Sequence, residues 1–137
     1  MSTRVNNLAL EFPLGLLAGD PSGYAPDVIW EAPRRGLTWL GRDRVIGNLL
    51  REAAAMEDPQ LTRVRRTVGD VRVIDEWVVR FRYAGEGIAR IDLPAGAAVE
   101  LERVRILTLA NGLVTLETAI ETWTLLGSGK KQYKSVS

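Results

Sequence analysis

From Val71 to Tyr83 the chain alternates: Val71, Val73, Asp75, Trp77, Val79, Phe81 and Tyr83 fall on one face, and Arg72, Ile74, Glu76, Val78, Arg80 and Arg82 on the other. Period two sustained over this length predicts a long strand with one buried face. Val99 to Leu109 and Leu113 to Leu125 predict two more long strands. They are joined by Asn111 and Gly112, a pair suited to a two-residue hairpin whose central residues take positive φ. Between the first and second of these strands Gly85 to Gly87 turn the chain, Ile88 to Leu93 predict a short strand, and Pro94 to Gly96 end it.

The first half of the chain has a different period. Val5, Leu8, Phe12 and Leu16 stand at helical spacing interrupted by Pro13 and Gly15, which predicts a short, irregular opening helix. Gly19 to Gly23 are a dense turn signal, and Val28, Ile29 and Trp30 predict a brief strand ended by Pro33. From Asp43 to Met56, Val45, Leu49 and Ala53 make one apolar row and Ile46, Leu50 and Ala54 the next, so a helix is expected there, with Asp43 in its first turn and Asp58 and Pro59 stopping it. Helices at the N-terminal end and long strands at the C-terminal end predict an α+β fold, with the helices packed on one face of a curved antiparallel sheet. One domain is expected over residues 1–126. Residues 127–137, which hold every Lys of the chain and Tyr133 as their only aromatic, are expected to be a flexible tail.

Composition narrows the chemistry more than the fold. The 137 residues carry 18 basic and 17 acidic side chains, a formal charge of +1, so no net field recruits nucleic acid or an anionic membrane. Without Cys or His, thiol nucleophiles, imidazole bases, disulfides and His-ligated metals are excluded, and acid–base work falls to Asp, Glu, Lys or Tyr. No apolar run of membrane-spanning length occurs, and the start MSTRVNNLALEF has a polar Asn pair where a signal peptide is apolar; a cytoplasmic protein is expected. Arg63, Arg65, Arg66, Arg72, Arg80 and Arg82 are interleaved with Asp70, Asp75 and Glu76, which reads as a solvated face and not a nucleic-acid stripe. Glu100, Glu102, Arg103, Arg105, Glu117 and Glu121 on the last two strands are expected to pair across them. Gly85-Glu86-Gly87 is followed by Arg90 and no helix, so it is not a dinucleotide fingerprint.

Several stretches resemble a known family. Ala18-Gly19-Asp20, then Tyr24-Ala25-Pro26-Asp27-Val28-Ile29-Trp30-Glu31-Ala32-Pro33, then Gly41-Arg42-Asp43, and finally Asn111-Gly112-Leu113-Val114 leading to Trp123 resemble the SnoaL-like branch of the nuclear transport factor 2-like superfamily, over about residues 8 to 125. The resemblance implies a cone-shaped, cystatin-like α+β fold with a hydrophobic pocket. It also implies a twofold homodimer through the outer sheet face, where Val104 and Ile106 need cover. The fold serves isomerases, polyketide cyclases, hydrolases and noncatalytic binding or dimerisation modules, so it does not fix a reaction.

Position by position, two family chemistries are absent. The ketosteroid isomerase base precedes the proline that is Pro33 here, and Ala32 stands in its place. The polar groups of limonene epoxide hydrolase fall on Trp30, Ala32, Trp77, Val79 and Thr118. Asp75 is then the candidate acid–base, since alternation sets it between Val73 and Trp77, where desolvation raises a carboxylate's pKa. A paired carboxylate, with Arg65 or Arg103 as partner, is the other reading. Trp30, Trp39, Trp77, Val79, Phe81, Leu116, Thr118 and Ile120 are the expected pocket lining, with Trp123 as a further aromatic; filling the core is the alternative for each Trp. Tyr24 supplies a phenol donor at the mouth or lies in a surface turn. Two functions remain. One is cofactor-free, metal-free isomerisation, cyclisation or dehydration of a small apolar cyclic carbonyl compound. The other is a noncatalytic module that binds such a ligand or a partner. A second polar group beside Asp75 inside the cavity separates them, because a lone carboxylate cannot stabilise an oxyanion.

Overall fold

The structure is a computed structural model that describes residues 23–127 and the backbone of Gln132–Tyr133. Strand β1 (Tyr24–Ala32) leads through a 3-10 turn (Pro33–Arg35) to β2 (Leu37–Leu40), helix α1 (Arg42–Ala54) and β3 (Met56–Val68). Then come β4 (Arg72–Tyr83), β5 (Ala98–Ala110), β6 (Leu113–Leu125) and the two-residue β7 (Gln132–Tyr133). They form one seven-stranded sheet in the order β2-β1-β6-β5-β4-β3, with β7 beside β6. The expected opening helix lies outside the described residues. So does the expected tail, apart from the backbone of β7, which pairs with Thr124 and Leu125.

The three long strands occur where alternation set them. Asn111 and Gly112 join β5 to β6 with φ of 53° and 78°, the two left-handed residues that a tight hairpin of the right twist needs. Four expectations are corrected. The sheet is mixed, because β1 runs parallel to β6, with Trp30 opposite Glu117. Asp58 and Pro59 do not merely stop the helix: they make the irregularity in β3 between Glu57 and Gln60, Asp58 having a φ of 49°, and a proline there costs no ladder bond because β3 is an edge strand. Ile88 to Leu93 form no strand, since Gly85, Gly87 and Arg90 all take positive φ and coil the β4–β5 loop, which tucks Ile88 into the core. Helix α1 buries Val45, Leu49 and Glu52 while Leu50 is 46% exposed, so its inward stripe is the first apolar row turned towards a carboxylate.

Parity across β4, β5 and β6 defines two faces. The inner one, towards α1, holds Trp77, Arg103 and Glu121 in one cross-strand row and Asp75, Arg105 and Ala119 in the next. Its apolar residues form two clusters. One contains Trp77, Val79, Phe81, Leu101 and Trp123. The other contains Tyr24, Trp30, Leu49, Val73 and Leu107. Along β5 the order is Leu101, Arg103, Arg105, Leu107, and β4 likewise sets Asp75 between the two clusters, so a belt of charge crosses the core between two apolar halves. Half-buried Ile74, Val78, Val104, Ile106, Leu116 and Ile120 occupy the outer face.

Candidate functional site

The belt is built from pairs that the register sets side by side. Glu121 of β6 faces Arg103 of β5 and accepts from its Nε at 2.8 Å. It also takes a two-pronged contact from Arg35, Nε at 2.7 Å and Nη2 at 3.1 Å. Arg35 reaches inward because the 3-10 turn ends at Gly36, whose φ of 63° reverses the chain towards β2. Glu52 closes the ring from α1, accepting from Arg35 at 2.7 Å and from Arg103 at 3.0 Å. The two arginines and two glutamates, all buried, balance in charge. The Arg35 guanidinium carbon also lies 5.2 Å from the ring centre of Trp123.

The second group is centred on Glu117. It accepts from Arg105, from the Tyr24 hydroxyl at 2.7 Å and from Trp30 Nε1 at 3.1 Å. In the third, Asp75 takes a two-pronged Arg66 contact, at 3.0 and 2.8 Å, and accepts from Trp77 Nε1 at 3.1 Å. Each of the three buried tryptophans donates its indole N–H to a carboxylate, Trp123 doing so to Glu121 at 3.3 Å. Among the described residues no buried side-chain nitrogen or oxygen is left without a hydrogen-bond partner, and no acidic cluster is arranged as metal ligands are.

Burial by itself pushes the Glu121 carboxyl up. The attraction of Arg103 and Arg35 and their hydrogen bonds outweigh it and hold the group below its ordinary 4.5. Arg103, which burial would lower, is raised instead by Glu121 and Glu52. The Tyr24 phenol goes well above its ordinary 10.0, first through burial and then through the charge of Glu117. Because the folded pKa of Glu121 is the depressed one, its stabilisation is complete above the unfolded value and is lost as pH falls through the folded one. The melting temperature is therefore expected to hold from neutrality down to about pH 5 and to fall steeply below it. A melt series that starts to fall well above that pH contradicts this.

The expected site residues separate by position. Asp75 is inside, and it is not alone there, but the polar groups with it are committed to one another. Its partner is Arg66, neither Arg65 nor Arg103. Trp30, Trp77, Val79 and Phe81 are core; Phe81 meets Trp123 edge to face at 6.4 Å. Leu116, Thr118 and Ile120 are on the opposite face from the one expected, because the irregularity between Thr108 and Leu109 sets β6 so that Glu117, Ala119, Glu121 and Trp123 point inward. Tyr24 is buried and in neither of the expected settings. Trp39, half-buried, borders open space. It stacks on Trp30 at 4.3 Å and, with Asn48, Arg51, Glu52, Ile88 and Ala89, walls a cavity of about 290 Å³ at the rim between α1 and the β4–β5 loop. Arg35 ties that loop in place by donating to the Ala89 carbonyl at 3.0 Å. Sequence reasoning missed Arg35 and Glu52, which no periodicity marks. Arg103 with Glu121, and Arg105 with Glu117, were marked by opposite charge across the hairpin, and their shared parity with Trp77 and Trp123 was the available signal that they face inward.

No family model and no curated protein matches the chain. Solved structures do. A protein from Jannaschia sp. CCS1 assigned as a SnoaL-like polyketide cyclase is similar at a TM-score of 0.65 and 17% identity, over 88% of this chain and 85% of that one. A protein from Xanthomonas campestris pv. campestris assigned as a polyketide cyclase is similar at 0.62 and 21% identity, over 87% of both chains. A ketosteroid isomerase-like protein from Catenulispora acidiphila, solved with trimethylamine, gives 0.55 and 20%, over 84% and 82%. At these identities the likeness establishes the fold: the chain has the nuclear transport factor 2-like α+β fold. No helix among the described residues is long and apolar enough to cross a membrane.

Proposed function

We propose that the chain is a noncatalytic SnoaL-like module that binds a small cyclic carbonyl compound at the rim cavity and pairs with a second copy through the outer sheet face. The observation that carries the first part is the state of the inward carboxylates. Asp75, Glu52, Glu117 and Glu121 each accept from at least one guanidinium. A carboxylate held in that way is committed to the charge-assisted bonds that knit the buried belt together, and a substrate would have to displace a guanidinium to use it. Isomerisation, cyclisation and dehydration of a ketone all need a proton acceptor at the carbon next to the carbonyl.

The rim cavity supports binding. Trp39 and Ile88 give it apolar walls, Asn48 and Arg51 give it donors, and its volume suits a single ring compound. Titration with cyclohexanone, followed by backbone and indole NMR, is expected to shift Trp39, Asn48, Ile88 and Ala89 together. Shifts centred on Asp75 and Trp77, or none at millimolar ligand, contradict the reading.

The outer face supports pairing. A row of half-buried Ile, Val and Leu side chains across β4, β5 and β6 is the kind of surface that a twofold interface covers on both copies at once. Light scattering at micromolar concentration is expected to give twice the 15.1 kDa chain mass, and Ile106→Glu to reduce it to one chain with the fold intact. A single-chain mass for the unaltered protein contradicts the pairing.

A further inference from the structure

Asn48, Arg51 and Glu52 lie on one side of α1 at spacings of three and four residues, and all three border the rim cavity. Their charges are not balanced alike. Glu52 is neutralised from behind by Arg35 and Arg103. Arg51 is exposed, donates to Asn48 Oδ1 at 3.2 Å, and takes part in no ion pair among the described residues. Glu86 shares a neighbouring hollow with Arg51 but is not paired with it. The bond between Arg51 and Asn48 also orients the amide: with Oδ1 accepting, Nδ2 is left carrying two donor hydrogens. The cavity thus has a net positive charge and a guanidinium beside an amide N–H₂, facing a space walled by Trp39 and Ile88.

A neutral ketone oxygen, with two lone pairs, accepts from those donors but leaves the charge unbalanced. A carboxylate takes both and satisfies the charge as well. We infer that the compound this site selects is a ring carrying a carboxylate, with the ring against Trp39 and the carboxylate at Arg51 and Asn48. This rests on the binding reading above and narrows its ligand class from cyclic carbonyl to cyclic acid. The buried arginines do not compete for the anion, because Glu52 and Glu121 already occupy them.

Benzoate and its neutral isostere benzamide separate the two levels. Titrations of each, followed at the Trp39 indole and Ile88 signals, are expected to give a dissociation constant about tenfold lower for benzoate, the advantage of a charge-assisted over a neutral hydrogen bond. In Arg51→Gln, an exposed substitution that leaves the core untouched, the two compounds are expected to bind equally. Equal affinities in the unaltered protein, or a preference for benzoate that survives Arg51→Gln, overturn the inference. In that event benzamide binding that Trp39→Ala removes keeps the ring-binding reading. If neither compound moves the Trp39 and Ile88 signals, both fall.

Discussion

Glu121→Gln is expected to cost about 3–5 kcal/mol of stability, the range for removing one partner of a buried ion pair. The reason is the number of groups that depend on that carboxylate: Arg35 through two nitrogens, Arg103 and the Trp123 indole. An amide keeps the shape but turns an N–H₂ towards two buried guanidiniums, leaving one net positive charge with Glu52 as its remaining counterion. Chemical denaturation with both variants tests this. The double variant Glu121→Gln/Arg103→Met is expected to lose less than the sum of its two parts, because the second change removes a charge that the first left unpaired. Additive losses, or a Glu121→Gln cost under about 1 kcal/mol, which is what a solvated pair is worth, contradict the buried network.

Asp75→Asn is expected to destabilise the protein by about 2–3 kcal/mol, less than Glu121→Gln because Arg66 is 25% exposed and recovers part of its hydration when its partner goes. The sign matters more than the size. An unpaired, desolvated acid would be relieved by an amide, and the variant would be more stable at neutral pH. A two-pronged guanidinium and the Trp77 indole reverse that expectation. Thermal melts at pH 7 distinguish the cases: a melting temperature lower by several degrees supports pairing, and a rise contradicts it.

The strands β4, β5 and β6 were legible in the sequence because each buries one face and exposes the other to some degree, which writes period two into the chain. β3 was not, because an edge strand exposed on nearly every residue from Glu57 to Val68 has no alternation to read. Ile88 misled in the opposite way: it is apolar for core packing in a loop, not for a strand face. The site was hidden by the rule that usually serves best, that charged residues lie outside. Applied to β6 it turned Glu117 and Glu121 outward and brought Leu116, Thr118 and Ile120 in, one residue away from the observed register. Asp75 escaped that error because Trp77, Val79 and Phe81 fixed its face. The partners of Trp77 and Val79 are Arg103 and Leu101, and those of Arg103 and Leu101 are Glu121 and Trp123; a plain two-residue turn at Asn111 and Gly112 would set Ile120 opposite Arg103, and the irregularity between Thr108 and Leu109 brings Glu121 there instead. Arg35 and Glu52 stay out of reach of any such pattern, since a turn and a helix bring them in from 17 residues apart.

The claim that the inward carboxylates hold the fold and move no protons is tested most directly by hydrogen–deuterium exchange on a bound ketone. Cyclohexanone incubated with the protein in deuterated buffer near pH 7 is expected to exchange its α-protons at the rate of buffer with an inert protein at equal concentration. Faster exchange that Glu52→Gln or Asp75→Asn abolishes, in variants shown to remain folded, would contradict the account and make the belt a catalytic base.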